Sequence, residues 1–356
     1  MNVTVSAANH PPNSTSLARA AAYASRVHAL SKAYAASFFW KRYVEPFDAA
    51  FAALRDREIS FEEAWRVAAA FPQEPPVPFG EPAAKQSLLA ARLRYWLHRN
   101  GIRRLTRADA EHLSALLFIT KLKRKGAFAD YEALRNAIGV PSSMLLARHY
   151  YYATVIDRYR RQVFGDDRPL RVLEIGGGGG TLARVLHARG MVRAYYDLDL
   201  PQVLLSAALT LARCLPYEPL RFGGPDLPGN DAAEGTFNFY PAQYFDRLPR
   251  GHFDLIVNIS SFQEMDVAMR DMYIRSVPDL LARPGIFFNV NRRQDLPQAD
   301  GSTSLNHPLL YPYAREEEVL EWGTDPAQDT VRTNAAGELF AMLPRSFAIM
   351  RVGVVR

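Results

Sequence analysis

Cysteine is almost missing from this chain: Cys214 is the one thiol in 356 residues. A single thiol excludes an internal disulfide and any zinc centre built on several cysteines, and it suits a reducing, cytoplasmic setting. No apolar run approaches the ~18 residues that cross a bilayer, so no membrane span is expected. The opening stretch "MNVTVSAANHPPNSTS" lacks the basic-then-apolar order of a secretory signal. Acid is missing there too: no Asp or Glu precedes Glu45, whereas Arg19, Arg26, Lys32, Lys41 and Arg42 do. That pattern also fits an organellar transit peptide. Phe38, Phe39, Trp40 and Tyr43 read instead as core residues, so an ordinary helix of a basic domain is expected.

What is present is enough apolar residue, 48%, to build the cores of two domains. Charge is unevenly shared between them. Residues 1–165 hold 24 Lys and Arg against 13 Asp and Glu, and the rest hold 19 against 24. The densest basic piece, "KLKRK" from Lys121 to Lys125, suits nucleic acid, anionic lipid or a phosphorylated substrate. Such a run is more often a solvated helix end. No aromatic residues interleave with it, so a nucleic-acid partner is not expected.

Residues 1–164 read as an all-helical domain. Periodic segments run over about 17–55, 61–71 and 84–99, with the proline-rich "FPQEPPVPFGEP" between the last two. Thr106 and Asp109 have the spacing of a capping box, Asp130 and Gly139 bracket a short helix, and Ser142 or Ser143 caps a longer one containing "HYYYATVIDRY". After "FGDDRP" the pattern changes. Strands "RVLEI", "VRAYYDL", "TFNFY", "FDLIVNI" and "GIFFNVN" alternate with helices starting near Thr181, at Pro201 and after Asp266, and "SFAIMRVGVV" adds a last strand. Residues 165–356 are therefore expected to form an α/β domain, a Rossmann-like, mostly parallel, doubly wound sheet.

The first of those strands runs into "LEIGGGGGTLA", five glycines ahead of a helix. Glycines at a strand's carboxyl end permit a sharp turn and close approach of a ligand, and the following helix offers free N–H groups. Gly178, Gly180 and Ala183 formally match the G-x-G-x-x-A turn of a dinucleotide site. Glu174 argues otherwise, because it would repel a pyrophosphate but would receive the ammonium of S-adenosylmethionine (SAM). Asp199 lies 19 residues beyond Gly180, at the end of the second strand, where a carboxylate can hold both ribose hydroxyls. Asp197 is the weaker candidate for that role. The SAM loop is then Gly176, Gly177, Gly178 and Gly180.

"VLEIGGGGGTLARVL", "YYDLDLPQVLL" and "FDLIVNISSFQEM" resemble the class I SAM-dependent methyltransferases. More narrowly, they resemble the bacterial sugar O-methyltransferases that act on deoxysugars of natural products or on surface glycans. "DLP" after the second strand also occurs in small-molecule O-methyltransferases with aromatic acceptors, so a polyketide or phenolic acceptor stays open. The resemblance, which covers roughly residues 144–295, implies a transferase with a small sugar or glycosylated acceptor; the helical domain is expected to form a lid or one wall of the acceptor pocket, or a homodimer interface.

Methyl transfer to a hydroxyl needs alignment and a proton acceptor or a metal. Ser260 and Ser261 leave the strand "FDLIVNI" beside the expected cofactor, and Glu264 follows as a candidate base. Asp266 has the position of a helix N-cap. The long polar segment "RRQDLPQADGSTSLNHPLLYPY" is expected to be a substrate loop, with His307 as a second candidate base. Arg292 and Arg293 open that segment and suit an anionic group on the acceptor or a solvated surface. Tyr240, Ala242 and Gln243 are expected near the adenine. His149, Tyr150, Tyr151 and Tyr152 read as packing residues, with one of them available to cover the pocket. No local spacing marks a metal site, although Mg²⁺ held by acids from separate loops is an alternative to a base.

Overall fold

The computed structural model describes residues 126–139, 143–215, 220–223, 237–297, 303–328, 331–333, 339–342 and 348–356. It also describes Tyr23, Leu93, Trp96, Leu97, Asn100, Gly101, Phe118 and Leu122 individually. The helices expected before Gly126 lie outside the described residues, as do residues 224–236 ahead of "TFNFY".

Helix α1 (Phe128–Ala137) buries Tyr131 and Leu134 and carries Asp130 in its first turn and Arg135 in its last, as the helix dipole favours. Helix α2 (Met144–Phe164) begins where the Ser143 side chain accepts the Leu146 N–H at 3.0 Å. It ends at Gly165, whose left-handed φ of 75° closes the last turn on Arg161. The start is one of the two serines expected from sequence, whereas Gly165 was not singled out as the end.

The sheet is built from β1 (Leu170–Ile175), β2 (Val192–Asp199), β3 (Leu220–Phe222), β4 (Phe237–Pro241), β5 (Phe253–Ile259), β6 (Leu281–Arg292), β9 (Glu318–Thr324) and β12 (Ala348–Val355). Its order is β3-β4-β2-β1-β5-β6-β12-β9. The pairs from β3 through β6 are parallel, and β12 runs antiparallel between β6 and β9. Helices α3 (Thr181–Ala188), α4 (Pro201–Cys214) and α5 (Val267–Leu280) form the crossovers. This is the mostly parallel, doubly wound sheet anticipated from the alternating pattern.

Strand residues alternate between two cores. Val172, Leu255, Val257 and Phe288 face a cluster shared with α2, α3 and α4, whereas Leu173, Ile256 and Phe287 face one shared with α5. Cover on both faces explains why the central strands read as unbroken apolar runs. The chain winds from β1 toward β2 and later returns to β5 on the other side, so the crevice at the switch lies beyond the carboxyl ends of β1 and β5.

The structure adds strands that the sequence pattern did not mark. Two short hairpins, β7 (Gln294–Pro297) with β8 (Thr303–Asn306) and β10 (Val331–Thr333) with β11 (Leu339–Met342), stand apart from the main sheet. The expected substrate loop is therefore partly a hairpin. Edge strand β9 escaped notice because its residues are mostly exposed and leave no apolar alternation. Asp266 precedes α5 as expected, but its side chain makes no capping bond.

Candidate active site

The glycine loop is shaped by two kinds of exclusion. A Cβ on Gly176 would lie 2.0 Å from Ser261 Oγ, and one on Gly177 would lie 2.5 Å from Asp197 Oδ1. Gly176, Gly178 and Gly180 also have positive φ, at 80°, 57° and 70°. Gly179 differs from the others. Its φ is ordinary, and a Cβ there would meet nothing within 4 Å, because it faces a cavity. The run thus combines protein contacts at Gly176 and Gly177 with two positions left open toward the cavity, Gly178 and Gly179, of which Gly179 alone lacks a left-handed φ.

That cavity measures about 270 Å³. Glu174, Ile175 and Gly176 to Gly179 line it from the end of β1, and Leu198, Asp199 and Leu200 from the end of β2. Ile259, Ser260, Ser261, Glu264 and Met265 line it from the turn after β5. Leu145, Arg148, His149 and Tyr152 close it from α2, and Met269 and Tyr273 from α5.

The acids are crowded and poorly solvated. The Tyr195 hydroxyl donates to Glu174, which is only 2% exposed. Burial raises Glu174 to about 7 against that hydrogen bond, with the Asp199 charge adding to the rise. Asp199 accepts the Gly178 N–H at 3.0 Å and the Leu200 N–H at 2.7 Å, yet burial still raises it to about 6. Asp197 is absent from the cavity wall. It lies beneath the loop, accepts the Gly177 N–H at 3.3 Å, and is pushed well above the carboxylate range by burial and then by Asp199 and Glu174. Neighbouring strand ends have therefore divided the two aspartates, one facing the cavity and one supporting the loop.

The turn after β5 is held by buried amides that the sequence reading did not single out. Asn258 donates to Ile175 O at 2.7 Å and accepts the Phe262 N–H at 3.2 Å. Asn291 donates to Asn258 Oδ1 at 2.7 Å and accepts the Gln263 N–H at 3.0 Å. Asn306 on β8 donates to Phe262 O at 2.7 Å and accepts from Arg270 at 2.8 Å. These bonds tie the glycine loop to the turn that carries Ser260, whose φ of 59° is rare outside glycine, Ser261 and Glu264. Burial raises Glu264 to about 7, while Arg292 and Gln263 pull it down. "NI" and "NVN" at strand ends were the available signal, since an amide in an apolar strand must find partners.

Of the cluster expected to pack, with one member available to cover the pocket, Tyr152 lines the cavity and so does His149. Its Nδ1 lies 2.8 Å from Leu145 O, so that nitrogen carries the hydrogen and Nε2 is left as an acceptor. Burial lowers its pKa to about 4, which keeps the ring neutral.

Other expected site residues are not at the cavity. His307 Nδ1 accepts the Leu309 N–H at 3.1 Å and caps a short turn, and the residue is absent from the wall. Tyr240 packs its ring 5.8 Å from Tyr196, and Gln243 is likewise absent, whereas Ala242 between them does line the cavity. Gly180 serves as the N-cap position of α3 rather than as wall. Among the described residues, no group of three or more His, Cys, Asp or Glu is arranged to hold a metal ion. Nor is any described helix long and apolar enough to cross a membrane.

No protein-family model matches the chain, and no curated protein is significantly similar to it in sequence. Among solved structures, it is similar to the 1,6-didemethyltoxoflavin-N1-methyltransferase of Burkholderia thailandensis, solved with 1,6-didemethyltoxoflavin and S-adenosylhomocysteine. That match has 14% identity and a TM-score of 0.35, covering 79% of this chain and 93% of the other. It is also similar to the magnesium protoporphyrin IX methyltransferase of Synechocystis, solved with SAM, at 11% identity and a TM-score of 0.37, covering 67% and 97%. A SAM-dependent methyltransferase from Mesorhizobium loti is 16% identical with a TM-score of 0.33, covering 55% and 96%. The strand order, rather than these likenesses, identifies the fold.

Proposed function

We propose that the chain is a SAM-dependent O-methyltransferase whose acceptor is a sugar hydroxyl. One observation carries the reading: a loop with an open, side-chain-free position lies between two cavity-facing carboxylates, Glu174 and Asp199, at adjacent strand ends. Carboxylates held above their ordinary pKa by burial favour an occupant that brings positive charge and hydrogen-bond donors. They disfavour a pyrophosphate, which weighs against a nicotinamide cofactor and an oxidoreductase.

SAM, when bound, supplies an electrophilic methyl group on a positively charged sulfur. Glu174 receives the ammonium, Asp199 accepts from the ribose hydroxyls, and Gly179 lets the ligand lie against the backbone. Glu264, raised to about 7, takes the hydroxyl proton near neutral pH. The polar wall of Arg148, His149, Tyr152 and Ser260 favours a sugar. Leu145, Met265 and Met269 favour a flat phenolic or polyketide acceptor, which is the second reading.

Thermal unfolding with SAM, S-adenosylhomocysteine and NADH tests the cofactor. A rise of several degrees is expected with the first two at saturating concentration. A rise with NADH alone would remove the reading. Release of S-adenosylhomocysteine with deoxysugar glycosides, compared with phenols, then decides between the acceptors.

The glycines give a sharper expectation. Gly179→Ala should leave the stability of the free protein within about 1 kcal/mol and weaken S-adenosylhomocysteine about tenfold. Gly176→Ala should instead destabilise by about 2–4 kcal/mol, because the new methyl meets Ser261 at a left-handed φ. Urea unfolding and calorimetry read the two effects separately. Equal behaviour of the two variants would contradict the open position at Gly179.

A further inference from the structure

The turn that carries Glu264 is clasped by the segment that leaves β6 and returns as β8. Phe262–Glu264 form a short 3₁₀ turn, in which the Glu264 N–H donates to Ser261 O at 2.9 Å. Asn306 is 0% exposed and donates to Phe262 O at 2.7 Å and to Met265 O at 3.2 Å. At the end of β6 the Arg292 N–H donates to Gln263 Oε1 at 2.9 Å, and Asn291 Oδ1 accepts the Gln263 N–H at 3.0 Å. The turn is therefore held from both of its ends by groups that follow it in the chain.

Gln263 is the residue whose chemistry these bonds decide. It is 2% exposed and does not line the cavity, whereas Glu264 beside it does. An amide side chain has one accepting end and one donating end. A backbone N–H can only donate, so Arg292 claims Oε1 and leaves Nε2 as the end that can meet a carboxylate. Gln263 hydrogen-bonds Glu264, and the bond favours the ionised form. The reversed amide would set Nε2 against the Arg292 N–H and Oε1 against the carboxylate, two repulsions in place of two bonds. The main chain at the end of β6 thus selects the end that Gln263 shows to Glu264.

Charged groups act on Glu264 as well. Arg292 favours its ionised form and Asp199, at the end of β2, opposes it. Glu174 from β1, Arg148 and His149 from α2, and Tyr273 from α5 face the same cavity. Gln263 differs from all of these in being neutral and directional.

We propose that Gln263 is a positioning residue: with Oε1 tied to the Arg292 N–H, its Nε2 holds one oxygen of the Glu264 carboxylate and turns the other toward the cavity, where an acceptor hydroxyl gives up its proton. The assignment rests on the reading of Glu264 as the base of the methyl transfer.

The test follows the Glu264 carboxyl by carbon NMR in the full chain labelled with ¹³C at glutamate side-chain carboxyls. Its resonance is identified by its loss in Glu264→Gln, and a titration from acid to alkaline pH gives its midpoint. Gln263→Met removes both ends of the amide and should move the midpoint up by about 1–2 pH, the range for a hydrogen bond to a charged group. Gln263→Glu keeps an acceptor for the Arg292 N–H but replaces the donor with a second carboxyl, so it should move the midpoint at least as far with less loss of thermal stability. Asn306→Ala loosens the same turn without touching Glu264, and should lower thermal stability with the midpoint in place. In S-adenosylhomocysteine release with a deoxysugar glycoside, the acid limb of the pH–rate profile should follow the midpoint, with the KM for SAM unchanged. An unmoved midpoint in both Gln263 variants overturns the proposal, as does an equal shift in Asn306→Ala, which would mark a purely structural turn. Full activity of Glu264→Gln would instead remove the reading of Glu264 as the base, and the catalytic role of Gln263 with it, even where the midpoint moves.

Discussion

Asp199→Asn should weaken S-adenosylhomocysteine about 10- to 100-fold by calorimetry. Both carboxylate oxygens are already engaged, Oδ2 by Gly178 N–H and Oδ1 by Leu200 N–H. An amide cannot accept at both positions, since its nitrogen would face a donor. The substitution therefore removes the charge offered to the ribose and disturbs the loop in one step. Asp197→Asn provides the comparison. Asp197 supports Gly177 from beneath and does not line the cavity, so its replacement should cost affinity much less. A larger loss from Asp197 than from Asp199 would reverse the assignment of the two acids.

Affinity for SAM should rise about tenfold between pH 6 and pH 8. Glu174 titrates at about 7 in the free protein, so roughly a tenth is ionised at pH 6 and most of it at pH 8. A ligand that carries an ammonium binds the ionised form, and binding expels a proton at the lower pH. Asp199, at about 6, adds to the trend at its acid end. The free protein should respond in the opposite direction. These acids have folded-state pKa values above their unfolded ones, so their stabilising contribution is complete below about pH 4 and fades as pH rises through 6 and 7. Calorimetry in buffers of different ionisation enthalpy measures the proton release directly. An affinity that stays flat from pH 5.5 to 8, with no proton released, would rule out Glu174 as the ammonium partner.

Much of the glycine-loop side of the cavity was legible in the chain. A strand, a glycine run, a helix, and acids at the ends of the first two strands are local features, and each has a distinctive residue chemistry. Local sequence could not say that Gly178 and Gly179 are the open positions, because that depends on Ser261 and Asp197 lying against Gly176 and Gly177. Nor could it separate Asp197 from Asp199, since strand alternation aims both the same way and only the loop above them distinguishes their surroundings.

The rest of the cavity was read less well, for a consistent reason. His307 had the right chemistry in a promising segment, but the segment folds into a hairpin and a turn that uses the ring nitrogen as a cap. His149 sat in a helix whose spacing suggested packing, and only the docking of α2 over the strand ends brings it to the cavity. Asn258, Asn291 and Asn306 look unremarkable one at a time. They matter because three separate segments converge on one turn.

The sequence by itself determined the doubly wound sheet, the start of α2, and the loop-and-acid chemistry at the ends of β1 and β2, since each arises from backbone preference or apolar period over a few neighbouring residues. The tertiary structure alone decided which groups face the cavity and which serve as supports, and it hydrogen-bonds Arg148 Nε to the carbonyl of Ala327, almost 180 residues away. Burial, pKa and charge pairing depend on what lies across the fold, and no short window of sequence contains both partners.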